Sequence, residues 1–169
     1  MNTIAIVNTY AYSVNYLADN MLRGLQELIR ELGLNPRKFT DDWPSSDRAI
    51  STWLSSRHLY KIELEIYAPK KPAEALLVLE FEVEYGTSGD DDGSFWVDSE
   101  AMRYEILKTG TLPKDCAYSL ICFNHPGRPD VHGWGPADSR PRDGMHRYVG
   151  GKTIAAPGLS ANSAMWARA

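Results

Sequence analysis

The chain has 169 residues, of which 43% are hydrophobic and 24% charged, with a formal net charge of −4, the profile of one soluble globular domain long enough to bury a core. No run of about 20 apolar residues exists to span a membrane, and Met1 to Tyr10 lack the basic and apolar regions of a secretory signal, so a cytoplasmic location is expected. Charge is uneven along the chain: residues 1–123 carry 12 Lys or Arg against 19 Asp or Glu, a net of −7, and residues 124–169 carry six against three, a net of +3.

Residues 3–12 alternate apolar and polar positions, as a short strand or an ordered arm would. A helix is predicted from Ser13, a candidate N-cap, to Leu32, with Val14, Leu17, Ala18, Met21, Leu25 and Leu28 on its apolar face. Gly33 supplies the left-handed residue after the helix and Pro36 prevents its continuation. A second helix is predicted after Pro44, opened by Ser45 or Ser46 and ending near His58, with Ala49, Ile50, Trp53 and Leu54 on one face.

Two strands follow. Ile62, Leu64 and Ile66 alternate with Glu63 and Glu65; Leu77, Leu79, Phe81, Val83 and Tyr85 alternate with Val78, Glu80, Glu82 and Glu84. A period of two with one apolar and one polar face marks half-buried antiparallel strands, so these glutamates are expected on a wet face. The acidic turn Gly86 to Gly93 leads to Asp98, the predicted cap of a third helix that reaches about Thr109, and a strand from Cys116 to Phe123 closes the body. The result is an α+β domain with three helices packed on a small antiparallel sheet.

The last 46 residues, 124–169, differ from this body. They hold seven of the 13 glycines and five of the ten prolines, yet also Val131, Trp134, Met145, Tyr148, Ile154 and Trp166. Structureless segments beyond roughly 12–15 residues are uncommon in compact domains, and disordered ones are poor in aromatics. The segment is therefore expected to pack on the body without forming competing helix or sheet, its basic charge against the body's acidic one.

Catalytic patterns are sparse. The turn Ser88 to Trp96 offers Asp90 and Asp92 at calcium-loop positions 3 and 5, but Ser88 and Ser99 stand where the first and bidentate ligands belong. His125, Asp130, His132 and His146 have the residue types of a zinc site, and a small metal-dependent hydrolase built on them is the alternative function; their spacing fits no compact ligand motif. Neither a G-x-S-x-G elbow nor a nucleotide-binding glycine pattern is present. Six basic residues spread over the tail make no nucleic-acid patch, so no direct nucleic-acid binding is expected. Cys116 and Cys122, six apart in one strand, lie too far from one another for a disulfide.

Five pieces of the sequence together resemble the bacterial branch of the HORMA domain, found in cyclic-oligonucleotide anti-phage signalling (CBASS) operons: Tyr16-Leu-Ala-Asp-Asn-Met-Leu-Arg-Gly-Leu, Ala49-Ile-Ser-Thr-Trp-Leu, Asp92-Gly-Ser-Phe-Trp-Val-Asp, Pro126-Gly-Arg-Pro-Asp-Val-His-Gly-Trp and Asp143-Gly-Met. The resemblance implies a HORMA core over residues 1–123, with an N-terminal arm in 1–12, and a C-terminal safety belt over 124–169 within one domain. It implies a non-enzymatic adaptor without cofactors, closing its belt around a closure peptide or a sister HORMA protein that adds a strand at Ala117 to Phe123. The closed form would activate a cGAS-like nucleotidyltransferase, and an AAA+ remodeller would reopen it through Asn2, Thr3, Ile4, Ala5 and Ile6. Tyr118, Leu120, Cys122, Val131, Trp134, Met145, Tyr148 and Trp166 are the peptide-binding residues this mapping implies.

Overall fold

The computed structural model describes residues 9–86, 94–106, 109 and 112–168. Helix α1 spans Thr9–Glu31, α2 Arg37–Asp41, α3 Trp43–Ser55 and α4 Ser99–Ile106; strands β1 Leu59–Tyr67, β2 Ala75–Tyr85, β3 Trp96–Val97, β4 Ala117–Asn124, β5 Met145–Ala156 and β6 Leu159–Arg168 form one antiparallel sheet in the order β3-β5-β6-β2-β1-β4. Most of the acidic turn, residues 87–93, and the proposed remodeller-engaged arm, Asn2 to Ile6, lie outside the described residues. No helix among the described residues is long and apolar enough to cross a membrane.

Helix α1 begins a turn earlier than its sequence predicts, so Thr9 to Tyr12 belong to the helix and not to an arm or strand. Ser13 is buried in the helix, and its hydroxyl donates to the Pro157 carbonyl at 2.7 Å in the turn between β5 and β6. The group read as a local cap is thus spent on a distant partner. At the other end Gly33, at φ +78°, lets the Leu34 amide donate back to the Ile29 carbonyl at 3.0 Å and the Gly33 amide to Arg30 at 2.9 Å, the predicted left-handed stop. The short α2 was not foreseen; it buries Phe39. Helix α3 starts at Trp43 and not at Ser45 or Ser46, because Pro44 falls in its first turn, where its missing N–H costs nothing. Asp98 caps α4 as predicted, accepting from the Ala101 amide at 3.0 Å.

One side of the sheet carries the helices. Ile62, Leu64 and Ile66 of β1 lie opposite Phe81, Leu79 and Leu77 of β2, and all six are buried with Leu17, Met21 and Leu25 of α1 and Trp53 of α3. The tail enlarges this core. Its second half forms the β5–β6 hairpin, in which Ile154, Leu159, Ala161 and Met165 are buried, and β6 pairs with β2 along its length from Leu77↔Ala167 to Tyr85↔Leu159. The expectation of a tail without competing sheet is therefore corrected for residues 145–168. The alternation at Leu159, Ala161 and Met165 is a strand pattern, and Gly158 at φ +74° makes the tight turn that lets it pair back.

The other side of the sheet is not wet where the glutamates were expected to make it so. Glu63, Glu65 and Glu80 are 2%, 0% and 3% exposed, and the tail supplies their counter-charges. Arg140 Nη1 meets Glu65 Oε1 at 2.9 Å, Arg142 Nη1 meets Glu65 Oε2 at 2.7 Å, and Arg142 also pairs with Glu63 and Arg147 with Glu80. Only Glu82 and Glu84 remain exposed as predicted. Burial pushes the Glu63 carboxyl above its ordinary range despite Arg142 and Lys61. Burial acts on Glu80 in the same direction, but the bonds from Arg147 and from Trp166 Nε1, at 3.0 Å, more than reverse it and hold Glu80 below its ordinary value.

This sets a pH dependence. A carboxyl whose folded value lies below its unfolded one stabilises the fold above the unfolded value of 4.5, and that stability is lost as pH falls through the folded value. Glu80→Gln should destabilise the protein by about 1–3 kcal/mol at pH 7. In urea unfolding the gap to the parent should narrow below pH 4.5. Glu63 is present in both proteins; the Glu80 charge is the last of the causes that act on its carboxyl, so the substitution relieves Glu63 only slightly. A gap that is constant with pH would show that Glu80 does not depend on its charge.

Candidate functional site

Strand β4 pairs with β1 from Leu59↔Asn124 to Tyr67↔Ala117 and has no partner on its outer side among the described residues. It is an edge strand, with a row of backbone donors and acceptors open for pairing. Residues 125–144, which follow it, determine what can reach that edge.

The segment first lies on the helix side of the sheet. The His125 amide donates to the His58 carbonyl at 2.8 Å, and Gly127 at φ +89° turns the chain toward α3. There Trp53 Nε1 donates to the Pro129 carbonyl at 2.7 Å, Val131 is buried, and Trp134 Nε1 donates to Ser45 Oγ at 3.1 Å. The Trp53 and Trp134 rings meet edge to face, 5.7 Å between centroids and 87° between planes. The same segment then reaches the opposite side of the sheet. The Arg140 amide donates to Glu65 Oε2 at 2.9 Å and its guanidinium stacks 3.7 Å over the Tyr67 ring.

Between these two anchorages residues 135–139 are exposed. With the sheet's other edge far away beyond β6, they pass around the outer side of β4. The six-residue step from Trp134 to Arg140 reaches at most about 20 Å, enough to round a sheet edge with room for one more strand at about 4.8 Å. The segment is a strap, fastened on one side by tryptophans and on the other by arginines.

A cleft of about 510 Å³ opens between strap and strand, lined by Trp53, Leu120, Cys122, Arg128, Trp134 and Ala137 among others. That volume falls within the range of about 300–1,000 Å³ typical of ligand sites. Arg128 holds its guanidinium 5.1 Å from the centre of the Trp53 ring. Asn124 also borders the cleft, and its buried Oδ1 has no hydrogen-bond partner among the described residues. Burial pushes the Cys122 thiol up to about 12, with Arg128 pulling it back only in part; such a thiol is no nucleophile near neutral pH. The arrangement offers open backbone groups, an aromatic wall and one cation, which suits the capture of an extended peptide.

Of the residues singled out from the sequence, Leu120, Cys122 and Trp134 line this cleft. Tyr118 and Val131 support it from within the core: the Tyr118 hydroxyl donates to the Asn35 carbonyl at 2.7 Å and accepts from the Phe39 amide at 3.1 Å. Met145, Tyr148 and Trp166 belong to the β5–β6 hairpin. Met145 packs with Ala75, Val78 and Trp166 on the face away from the helices, and Tyr148 is 41% exposed. The residues of the hydrolase alternative, His125, Asp130, His132 and His146, are not gathered into one group. His125 stacks on Tyr60 at 4.9 Å, Asp130 faces solvent beside Arg128, His146 sits on β5, and no group of three or more His, Cys, Asp or Glu that could hold a metal exists among the described residues.

The sequence reading missed Trp53, Arg128, Arg140 and Arg142 as site residues and assigned Glu63 and Glu65 to solvent. A signal was present in the opposite charges of tail and body. It located the contact between them but not the residues that make it.

The sequence matches the family described as Bacterial HORMA domain 2 over residues 1–169. No curated protein matches it. Among solved structures, it is similar to a chain of the mitotic checkpoint complex (TM-score 0.62, 12% identity, 78% of this chain and 74% of that one). It is also similar to C. elegans HTP-2 bound to the HIM-3 closure motif (TM-score 0.53, 13% identity, 75% and 69%) and to a chain of the E. coli MS115-1 CdnC:HORMA-deltaN complex (TM-score 0.56, 10% identity, 94% and 89%). At these identities the likeness establishes the HORMA fold.

Trp134→Ala should release the strap from α3 while the sheet stays folded. Loss of the ring contact and indole bond should cost about 2–4 kcal/mol, and limited cleavage by endoproteinase Asp-N before the exposed Asp138 should accelerate severalfold. Cleavage at the parental rate would mean that other contacts hold the strap.

Proposed function

The chain belongs to the bacterial HORMA domain 2 family, and from that premise we propose that it is a peptide-capturing adaptor whose strap, residues 125–144, holds an extended partner segment against β4. One observation carries this reading: the strap is anchored on both sides of the sheet and so rounds β4, whose outer edge is open along its whole length among the described residues. A segment paired with β4 gains backbone hydrogen bonds, and it cannot leave sideways while both anchorages hold.

A closure peptide or a sister HORMA protein is the partner we assign to the cleft, in keeping with the similar HTP-2 chain bound to a closure motif. The similar chain in the CdnC complex supports a second partner, which the family resemblance makes a cGAS-like nucleotidyltransferase, activated in anti-phage defence. The function proposed is regulation, not catalysis.

Opening requires breaking the tryptophan contact and the Glu63/Glu65 pairs with Arg140 and Arg142, each a cost of some kcal/mol. Spontaneous exchange would be slow, which gives an AAA+ remodeller its role. The arm Asn2 to Ile6 precedes α1, and α1 is tied to α3 by the Tyr10 hydroxyl on the Leu54 carbonyl at 2.6 Å and to the hairpin turn by Ser13 on Pro157. Force applied to the arm would therefore load α3, one support of the strap, together with the β5–β6 turn.

Tagged protein recovered from its native host should bring down a nucleotidyltransferase together with a trapped peptide or second HORMA protein, identified by mass spectrometry. Leu120→Lys, at the cleft, should reduce peptide retention at least tenfold, about 1.4 kcal/mol, with an unchanged melting curve. Recovery of the protein with neither partner, from a host expressing its neighbours, would contradict the adaptor reading.

A further inference from the structure

Arg128 touches the strap's support only through its place over the Trp53 ring. Among the described residues its hydrogen bonds run from Nη1, to the Pro129 carbonyl and to Asp130 Oδ1, both at 3.4 Å, and Asp130 is fully exposed. These are long contacts made from the solvent side. The Arg128 side chain is three-quarters covered, and its guanidinium lies over the Trp53 ring beside the cleft. A cation in that position, bound weakly by a screened surface carboxylate, is a binding group in want of a better anion.

The buried Trp53 ring, 2% exposed, backs two half-buried side chains of the strap: Arg128 lies 5.1 Å from its centre and Trp134 5.7 Å away. Leu120 and Cys122, which point to the same side of β4 as the helix-facing Leu64 and Ile62, form the floor. A strand added to β4 presents alternate residues to that side, at about 6.6 Å for a step of two. Neighbouring side chains on that side are therefore two residues apart.

We propose that the captured segment is recognised by two side chains two residues apart, an aromatic or branched apolar one against Trp134 and Leu120 and a carboxylate against Arg128. The proposal rests on the peptide-capture reading and names the chemistry of the peptide. The carboxylate takes the guanidinium from Asp130 in a setting drier than the surface, where a charge-assisted bond is stronger. A basic residue at that position is rejected by the like charge.

The test is selection of a displayed random-octapeptide library on the purified full-length protein, followed by affinity measurements with fluorescein-labelled versions of the selected peptides. The expected result is enrichment of Asp or Glu two positions from an aromatic, Leu, Ile or Val. Exchanging that acid for its amide should weaken binding roughly tenfold. Arg128→Gln should erase the acidic preference while apolar peptides are still bound, and Arg128→Lys should retain it in part, which separates recognition from folding. Selected peptides with no acidic preference, or a preference that Arg128→Gln leaves intact, would overturn this inference and leave peptide capture standing. A library that yields no bound peptide at all would overturn both.

Discussion

Two carboxylates that the sheet cannot leave uncovered constrain the whole molecule. Glu63 and Glu65 stand in the middle of β1, flanked by β2 and β4, and are almost fully buried. Ionised and unpaired, such groups would cost several kcal/mol each. The arginines at 140 and 142 are what make their burial tolerable, so the chain between β4 and β5 must cross that face of the sheet. Since the same segment is already committed to α3 through Pro129 and Trp134, it has to round the β4 edge to get there. The strap follows from where its two ends are paired.

The device is specific in a way that an apolar contact would not be. A buried ion pair adds little stability over a well-packed apolar one, but it penalises any arrangement that separates the partners. A strap fastened by Arg140 and Arg142 is therefore held in one register against β1, or it is off, with little between. The β5–β6 hairpin adds a second commitment, since Arg147 and Trp166 both address Glu80. The tail thus divides into two parts with different physics: a hairpin that belongs to the core and a strap that is bound at its ends and exposed between them.

Much of the body was legible in the sequence because its signals are local. The apolar stripe of α1, the Gly33 stop, the Asp98 cap and the period-two runs of β1 and β2 each depend on neighbours a few residues away, and the edge strand at Ala117 to Phe123 was placed within a residue. The misassignments share another cause. Ser13 looks like a cap until Pro157 is brought to it across 144 residues; Glu63 and Glu65 look like a wet face until arginines some 75 residues later cover them. The hairpin of residues 145–168 was obscured by its own glycines and by the two register shifts in β5, although β6 alternates at Leu159, Ala161 and Met165. For the site, the aromatic Trp134 and the strand positions Leu120 and Cys122 were readable by type and place, whereas Arg128 and Trp53 acquire their roles only where α3 and the strap meet.

The central claim is that β4 is the strand on which a partner segment is captured, beneath the strap. Amide hydrogen exchange across residues 117–124, compared between the protein alone and the same protein loaded with the segment recovered from its host, tests it most directly. The account predicts that alternate β4 amides, those pointing away from β1, exchange readily in the free protein and become strongly protected on loading, together with those of residues 134–140. Unchanged exchange in β4, with protection gained on α1 or on the β5–β6 hairpin instead, would contradict it.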